Sequence, residues 1–374
     1  MTMKLTFIGD VMLGRFVREK FEKKAYDLVS DDLKKQIEES DYVVANLESP
    51  VTNVVESDSL KFAGNAELLD QFKWINCFSL SNNHINDFGY EGMRETISNL
   101  KASNFEYNGL FEDIYCPTII ESEGEKIAVI TCADMMNYEF SAECPYKTLR
   151  VNRPDEIVSC IKEYKHKGFF VILYAHVGML FSRYPNPVIR DFIHSMVDEG
   201  ADCVVTAHPH CLGGSEYYKG KLIVYSIGDF LMDGSSFRRR RAGILNIRIE
   251  GGEIKEWHIV PVVTNNELSV CQPDESLYRK ILNSFEYVSK KIARHSTEYK
   301  SFYKKQYRKE LIAHSWSTIL FESKRRGIKG MLRILAKRRG AVKEISKRVL
   351  TDRSGMSYDA DAISENNISI EEIR

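Results

Sequence analysis

Six side chains able to hold a divalent metal each stand just after a short apolar run. Asp10 follows Leu5-Thr-Phe-Ile-Gly9, and Glu48 follows Val43-Val-Ala-Asn-Leu47. Asn83, with His84 beside it, follows Phe78-Ser-Leu-Ser-Asn82; His176 follows Val171-Ile-Leu-Tyr-Ala175; His208 and His210 flank Pro209 after Val204-Val-Thr-Ala207. Taken singly, such an aspartate is most often a helix cap or turn residue, such a histidine a satisfied core or surface group, and Asn82-Asn83 a turn. The same coincidence at five strand ends is far rarer than at one, so the set reads as a metal or catalytic centre. Carboxylates, an amide oxygen and imidazoles, without thiolate, suit Mn, Fe or Zn and not a structural zinc site. In an extended stretch the period-two spacing of His208 and His210 would turn both imidazoles to one side. They would then reach two metals about 3.5–4 Å apart, an arrangement that clamps a phosphoryl oxygen and acidifies a bound water.

The elements that must position these residues are legible in the same text. Leu5–Ile8, Tyr42–Ala45, Asn76–Leu80, Ile127–Thr131, Phe169–Tyr174, Cys203–Thr206 and Leu222–Ser226 read as buried strands. Arg15–Glu39, Gly89–Ala102, Pro154–Lys167 and Pro187–Glu199 carry helical spacing, with Pro154 and Pro187 suited to a first helical turn. Alternating strands and helices predict an α/β fold whose sheet is covered on its faces, with ligands beyond the carboxyl ends of the strands. From Ile244 to Val263 a strand, a Gly251-Gly252 turn and a second strand predict an antiparallel hairpin. From Asn265 the text becomes helical, with Ile281, Leu282, Phe285, Val288 and Ile292 on one face, so the expected division is 1–264 and a helical extension 265–374.

The motifs resemble the calcineurin-like metallophosphoesterase pattern and, more closely, its CapA capsule-synthesis (poly-γ-glutamate) branch. They are Gly9-Asp10-Val-Met12-Leu-Gly14-Arg15, Asn46-Leu-Glu48-Ser-Pro50, Ser81-Asn82-Asn83-His84-Ile-Asn-Asp87-Phe-Gly89, His176-Val-Gly178, His208-Pro-His210 and Tyr225-Ser-Ile-Gly-Asp229-Phe. The resemblance covers about residues 4–260. It implies a four-layer α/β/β/α sandwich followed by the helical extension. It further implies that Asp10 and His210 hold one metal, that Asn83, His176 and His208 hold a second, and that Glu48 bridges both. His84 would face the substrate as general acid or oxyanion stabiliser, with Asp87 orienting it. Arg15 reads either as a partner for an anionic substrate group or as a solvated helix-start arginine. Met12 stands where the superfamily has a histidine, matching the capsule branch, and a thioether is a poor ligand for hard metals. Glu48 replaces the usual bridging aspartate, Val177 a tryptophan, and Asp229 an asparagine, at most a support for the ligands.

The resemblance implies a metal-dependent phosphoesterase, a hydrolase acting on a phosphorylated or acidic-polymer substrate in surface-polymer synthesis. The alternative is a non-catalytic capsule-assembly factor built on the same fold. No G-x-S-x-G, Walker or G-x-G-x-x-G motif is present, which argues against serine hydrolases, P-loop NTPases and dinucleotide enzymes. Eight cysteines without paired spacing, and an amino end with no long apolar stretch, predict a reduced, cytoplasmic setting. Residues 324–348 hold eleven Lys/Arg against one acid, a net +10 in a chain whose formal total is −1. Interleaved Ile328, Met331, Leu332, Ile334 and Leu335 suit a solvated basic helix, a helix peripheral to the membrane surface, or a protein contact. Nucleic acid is disfavoured, because no aromatic platform accompanies the charge.

Overall fold

The computed structural model describes residues 2–54, 61–122, 124–135, 140–234, 236–321 and 324. In chain order these form β1 (Met3–Val11), α1 (Arg15–Lys23), α2 (Asp31–Glu38), β2 (Tyr42–Leu47), β3 (Cys77–Ser79), α3 (Gly89–Ala102) and β4 (Glu106–Asn108). Then come β5 (Thr118–Ser122), β6 (Glu125–Ala133), α4 (Pro154–His166), β7 (Phe170–His176), α5 (Pro187–Asp198), β8 (Cys203–Ala207), β9 (Ser215–Tyr218) and β10 (Lys221–Val224). The last elements are β11 (Asp229–Leu231), β12 (Arg241–Glu250), β13 (Glu253–Thr264), β14 (Val270–Cys271) and α6 (Glu275–Arg294). Residues 299–321 are helical as well. Apart from Lys324, the basic segment 324–348 and the polar tail after it lie outside the described residues.

The strands build two sheets. One runs β14-β13-β12-β1-β2-β3-β4, with β11 also pairing β1; the other runs β5-β6-β7-β8-β10-β9. Alternation along each central strand sends side chains to two different cores, which is why these strands are apolar throughout. Leu5 and Phe7 of β1 and Val44 of β2 meet Phe170, Ile172 and Val205 between the sheets. Ile8, Val43, Ala45 and Leu47 face outward to a core with Val17, Leu33, Met93 and Ile97 of α1, α2 and α3. On the far side Val171, Leu173 and Ala175 pack with Ile157 and Ile161 of α4 and Ile189 and Ile193 of α5. Three cores between four layers make an α/β/β/α sandwich, and the hairpin forms as the Gly251-Gly252 turn predicts, Glu250 opposite Glu253.

The carboxyl-terminal helices complete the second outer layer. Ile281 and Phe285 of α6 enter the core between the sheets, whereas Val288, Ile292, Tyr299, Phe302 and Tyr303 enter the outer one. Among the described residues no helix is long and apolar enough to cross a membrane.

The helix expected over Arg15–Glu39 is two. Residues between α1 and α2 leave the helix because Val29 bridges Val270, the Val270 amide donates to Leu28 O at 2.8 Å, and the Ser30 amide donates to Val270 O at 2.9 Å. Leu28 and Val29 are wholly buried there. Pairing with a strand some 240 positions away outweighs local helix propensity, a contact that no local window contains.

Candidate metal centre

The carboxyl ends of β1, β2, β3, β7 and β8, drawn from both sheets, meet at one edge of the sandwich. Against β2 the register of β1 shifts between Ile8 and Asp10, so that Asp10 pairs with Asn46. Asp10 also pairs with Asp229 of β11, where the register shifts between Asp10 and Val11. Such bulges recur beside functional sites because they re-aim a side chain. Gly9 permits it: a Cβ there would lie 1.9 Å from Gly228 O.

The six expected ligand residues converge. Glu48, His176 and His208 form one buried cluster of donor atoms, and Asp10, Glu48, His210 and Asp229 form another, so Glu48 is common to both. Asn83 Oδ1 lies 2.9 Å from His176 Nε2, and His208 Nδ1 lies 3.0 Å from the same nitrogen. Glu48 Oε1 is 3.8 Å from both His176 Nε2 and His210 Nε2. Asn46, whose part the sequence did not reveal, donates to Asp10 Oδ1 at 2.8 Å and stands 3.2 Å from His176 Nδ1. The two histidines around Pro209 do not come from an extended stretch, as their spacing suggested. Both are left-handed, at φ +100 for His208 and +54 for His210. This strained turn, uncommon for non-glycine residues, swings both rings into the site.

The electrostatics are those expected of side chains arranged to hold a cation. Burial pushes the Asp10 carboxyl up to about 7, against the pull of His210 and with Asp229 adding to the rise. Burial also drives Glu48 well above the ordinary carboxylate range, with Asp10 and Asp229 adding and Arg239 and Arg15 opposing. Burial, then neighbouring imidazoles, holds His176 and His208 well below the ordinary histidine value, keeping them neutral. Both oxygens of Glu48 and Nε2 of His208 are buried without any hydrogen-bond partner. An orphaned carboxylate costs several kcal/mol in a dry interior, roughly 1–3 or more per group, and a divalent cation removes that cost. The oxygen and nitrogen donors therefore fit a hard or borderline divalent metal.

Around this centre stand the remaining expected residues. His84 Nδ1 lies 3.0 Å from Asp87 Oδ2, which also accepts the Phe62 amide at 2.8 Å. The His84 ring stacks on Phe62 at 4.0 Å. Arg15 lies over the other part of that rim, 4.6 Å from the Phe62 centroid, with its guanidinium joined to both oxygens of Asp233. Met12 is fully buried in the helix-side core, where its sulfur accepts the Gly14 amide at 3.1 Å. Asp229 does more than fill space: Oδ1 meets His210 Nδ1 at 2.7 Å and Oδ2 lies 3.4 Å from Arg239 Nε. Although burial would raise it, His210 and Arg239 hold the Asp229 carboxyl below its usual range. Arg239, Asp233, Phe62 and Phe181 were not expected from the sequence; the run Arg238–Arg241 is the one signal that marks Arg239.

Comparison with known proteins gives concordant results. The family model for the bacterial capsule synthesis protein PGA_cap matches residues 4–234. The PGA biosynthesis protein CapA of Bacillus subtilis is 27% identical over 290 residues, covering 75% of this chain and 76% of that protein. The capsule biosynthesis protein CapA of Bacillus anthracis is 28% identical over 277 residues, covering 70% and 67%. Among solved structures, the NAD nucleotidase NadN of Haemophilus influenzae overlaps at a TM-score of 0.41 with 15% identity, covering 80% of this chain and 60% of that one. The sulfate thiohydrolase SoxB of Thermus thermophilus overlaps at 0.40 with 13% identity, covering 71% and 45%.

Proposed function

The chain belongs to the bacterial capsule synthesis protein PGA_cap family, and from that premise we propose that it is a metal-dependent phosphoesterase serving synthesis of poly-γ-glutamate or a related surface polymer. One observation carries the reading: two buried donor clusters share Glu48, whose oxygens have no hydrogen-bond donor of their own. Two divalent ions of the Mn, Fe or Zn kind suit this donor set. Asp10 and His210 would hold one, Asn83, His176 and His208 the other, and Glu48 both. When bound, such a pair polarises a phosphoryl oxygen and acidifies water. His84, at the rim and held by Asp87 Oδ2, is the residue to protonate the leaving oxygen. Asp87 keeps the ring oriented, and the Phe62 stack limits its rotation.

A second reading keeps the family role without turnover. Met12, packed in the core and engaged by the Gly14 amide, offers no ligand at the position where the superfamily has histidine. Asp229 supplies a carboxylate near that cluster, which favours the hydrolase.

The test uses metal-loaded full-length protein and an aryl phosphodiester or monoester. Hydrolysis that falls by about a hundredfold or more in His84→Ala, with metal content unchanged, is the expected result. Absence of any His84-dependent hydrolysis, together with capsule formation that survives His84→Ala in cells, selects the assembly reading.

A further inference from the structure

We propose that Arg239 is an anion-binding residue of the metal centre, its guanidinium taking oxygens of the substrate's phosphoryl group; the inference rests on the phosphoester reading above.

The argument begins with what Arg239 already touches. A guanidinium carries five N–H donors in a planar fork. Nε lies 3.4 Å from Asp229 Oδ2, and Nη2 donates to Met232 Sδ at 2.6 Å. Among the described residues Nη1 has no hydrogen-bond partner, and the side chain is 13% exposed. The acceptor it does have is shared, because the other oxygen of Asp229 serves His210 at 2.7 Å. Arg239 thus stands one carboxylate away from a ring of the candidate metal set, with donors left over in a poorly hydrated place. Charge-assisted hydrogen bonds to phosphate are strongest in such surroundings.

The flanking arginines Arg238 and Arg240, and Arg15 on the rim, are by contrast engaged. Arg238 is joined to Glu310, and its amide donates to Ser317 Oγ at 3.2 Å. Arg240 donates to the carbonyls of Gly234 and Asn265 at 2.8 and 2.7 Å. Arg15, the other cation on the rim, has its fork engaged by both oxygens of Asp233. On the side of Arg239, Phe181 lies 5.7 Å from the guanidinium and 6.3 Å from the His210 ring. The Phe181 ring stacks on His314 at 3.9 Å and 7°, and the Phe181 backbone N–H donates to Pro209 O at 2.9 Å. The helical residues 299–321, beyond the stretch matched by the family model, therefore brace Arg239 indirectly, Glu310 and Ser317 holding its neighbour Arg238 and His314 holding Phe181.

The experiment titrates inorganic phosphate into manganese-loaded full-length protein by calorimetry, for wild type, Arg239→Met and Arg239→Lys. Metal content and melting temperature are measured on the same samples. Arg239→Met should keep its metal and raise the phosphate Kd about tenfold or more, with Arg239→Lys between, since an ammonium lacks the planar fork. If Arg239→Met loses metal because Asp229 is unbalanced, Arg239→Lys decides: retained metal with weakened phosphate binding supports the assignment, and unchanged affinity overturns it. Phosphate bound equally by wild type and Arg239→Met overturns the assignment while leaving the hydrolase reading intact, and wild type that binds no phosphate overturns it too. Arg239-dependent phosphate binding without any hydrolysis keeps the anion site and overturns the hydrolase reading.

Discussion

Oδ1 of Asp229 lies 2.7 Å from Nδ1 of His210, which turns the far nitrogen of the ring, Nε2, toward Glu48 at 3.8 Å. A histidine that presents one nitrogen to a cation generally has the other fixed by an acceptor, which sets its tautomer and raises its basicity. Asp229→Ala should weaken metal binding by about 10–100-fold, and Asp229→Asn by less, because the amide oxygen can still accept from Nδ1. Competition against a chelating dye measures this directly. Equal affinity in wild type and Asp229→Ala would show that His210 needs no such support.

Glu48 makes the metal-free protein sensitive to alkali. Its carboxyl, raised well above the ordinary range by burial, stays protonated in the folded state where the unfolded chain ionises it. A carboxyl raised in this sense contributes stability that is complete below the unfolded value and is lost as pH rises through the folded one. His176 and His208, lowered by burial, act oppositely at acid pH but are neutral in both states above pH ~7. Above pH ~7, where both histidines are neutral in either state, the metal-free protein should therefore lose stability with rising pH through this group. The loss reaches up to about 1.4 kcal/mol per pH unit while the folded carboxyl remains protonated. Bound Mn²⁺ should flatten the slope, and Glu48→Gln should abolish most of it. Urea denaturation in chelator across that window is the measurement, and stability that rises with pH there contradicts the account.

Gly9 sets the distance between two carboxylates. Any side chain there meets Gly228 O, at 1.9 Å from an ideal Cβ, so β11 must withdraw from β1 and carry Asp229 away from Asp10. Gly9→Ala should cost roughly 2–4 kcal/mol and lower metal affinity at the same time. Thermal melts with and without metal separate the two effects. A variant as stable as wild type would mean that the bulge tolerates a Cβ.

The sequence by itself determined the main buried strands and the six polar residues that converge at their ends. Strands buried on both faces must be apolar throughout, so β1, β2, β7 and β8 announce themselves, and a polar residue at the end of such a run has few places to be other than the sheet edge. Asp10, Glu48, Asn83, His176, His208 and His210 were legible for that reason. The short strands β4, β9, β11 and β14 were not, because elements of two to four residues carry too little periodicity to be distinguished from turns.

Only the tertiary structure decided how those residues are supported. The break at Val29 depends on Val270, the left-handed turn at His208 and His210 depends on its packing, and Asn46 bridges Asp10 to His176 across two sheets. Arg239 reaches the site because Glu310 and Ser317, more than seventy residues later, hold its neighbour. Local spacing encodes which face a residue occupies. Contacts between distant segments, whose energies depend on distance and burial, decide which atom meets which, and no short window of sequence contains them.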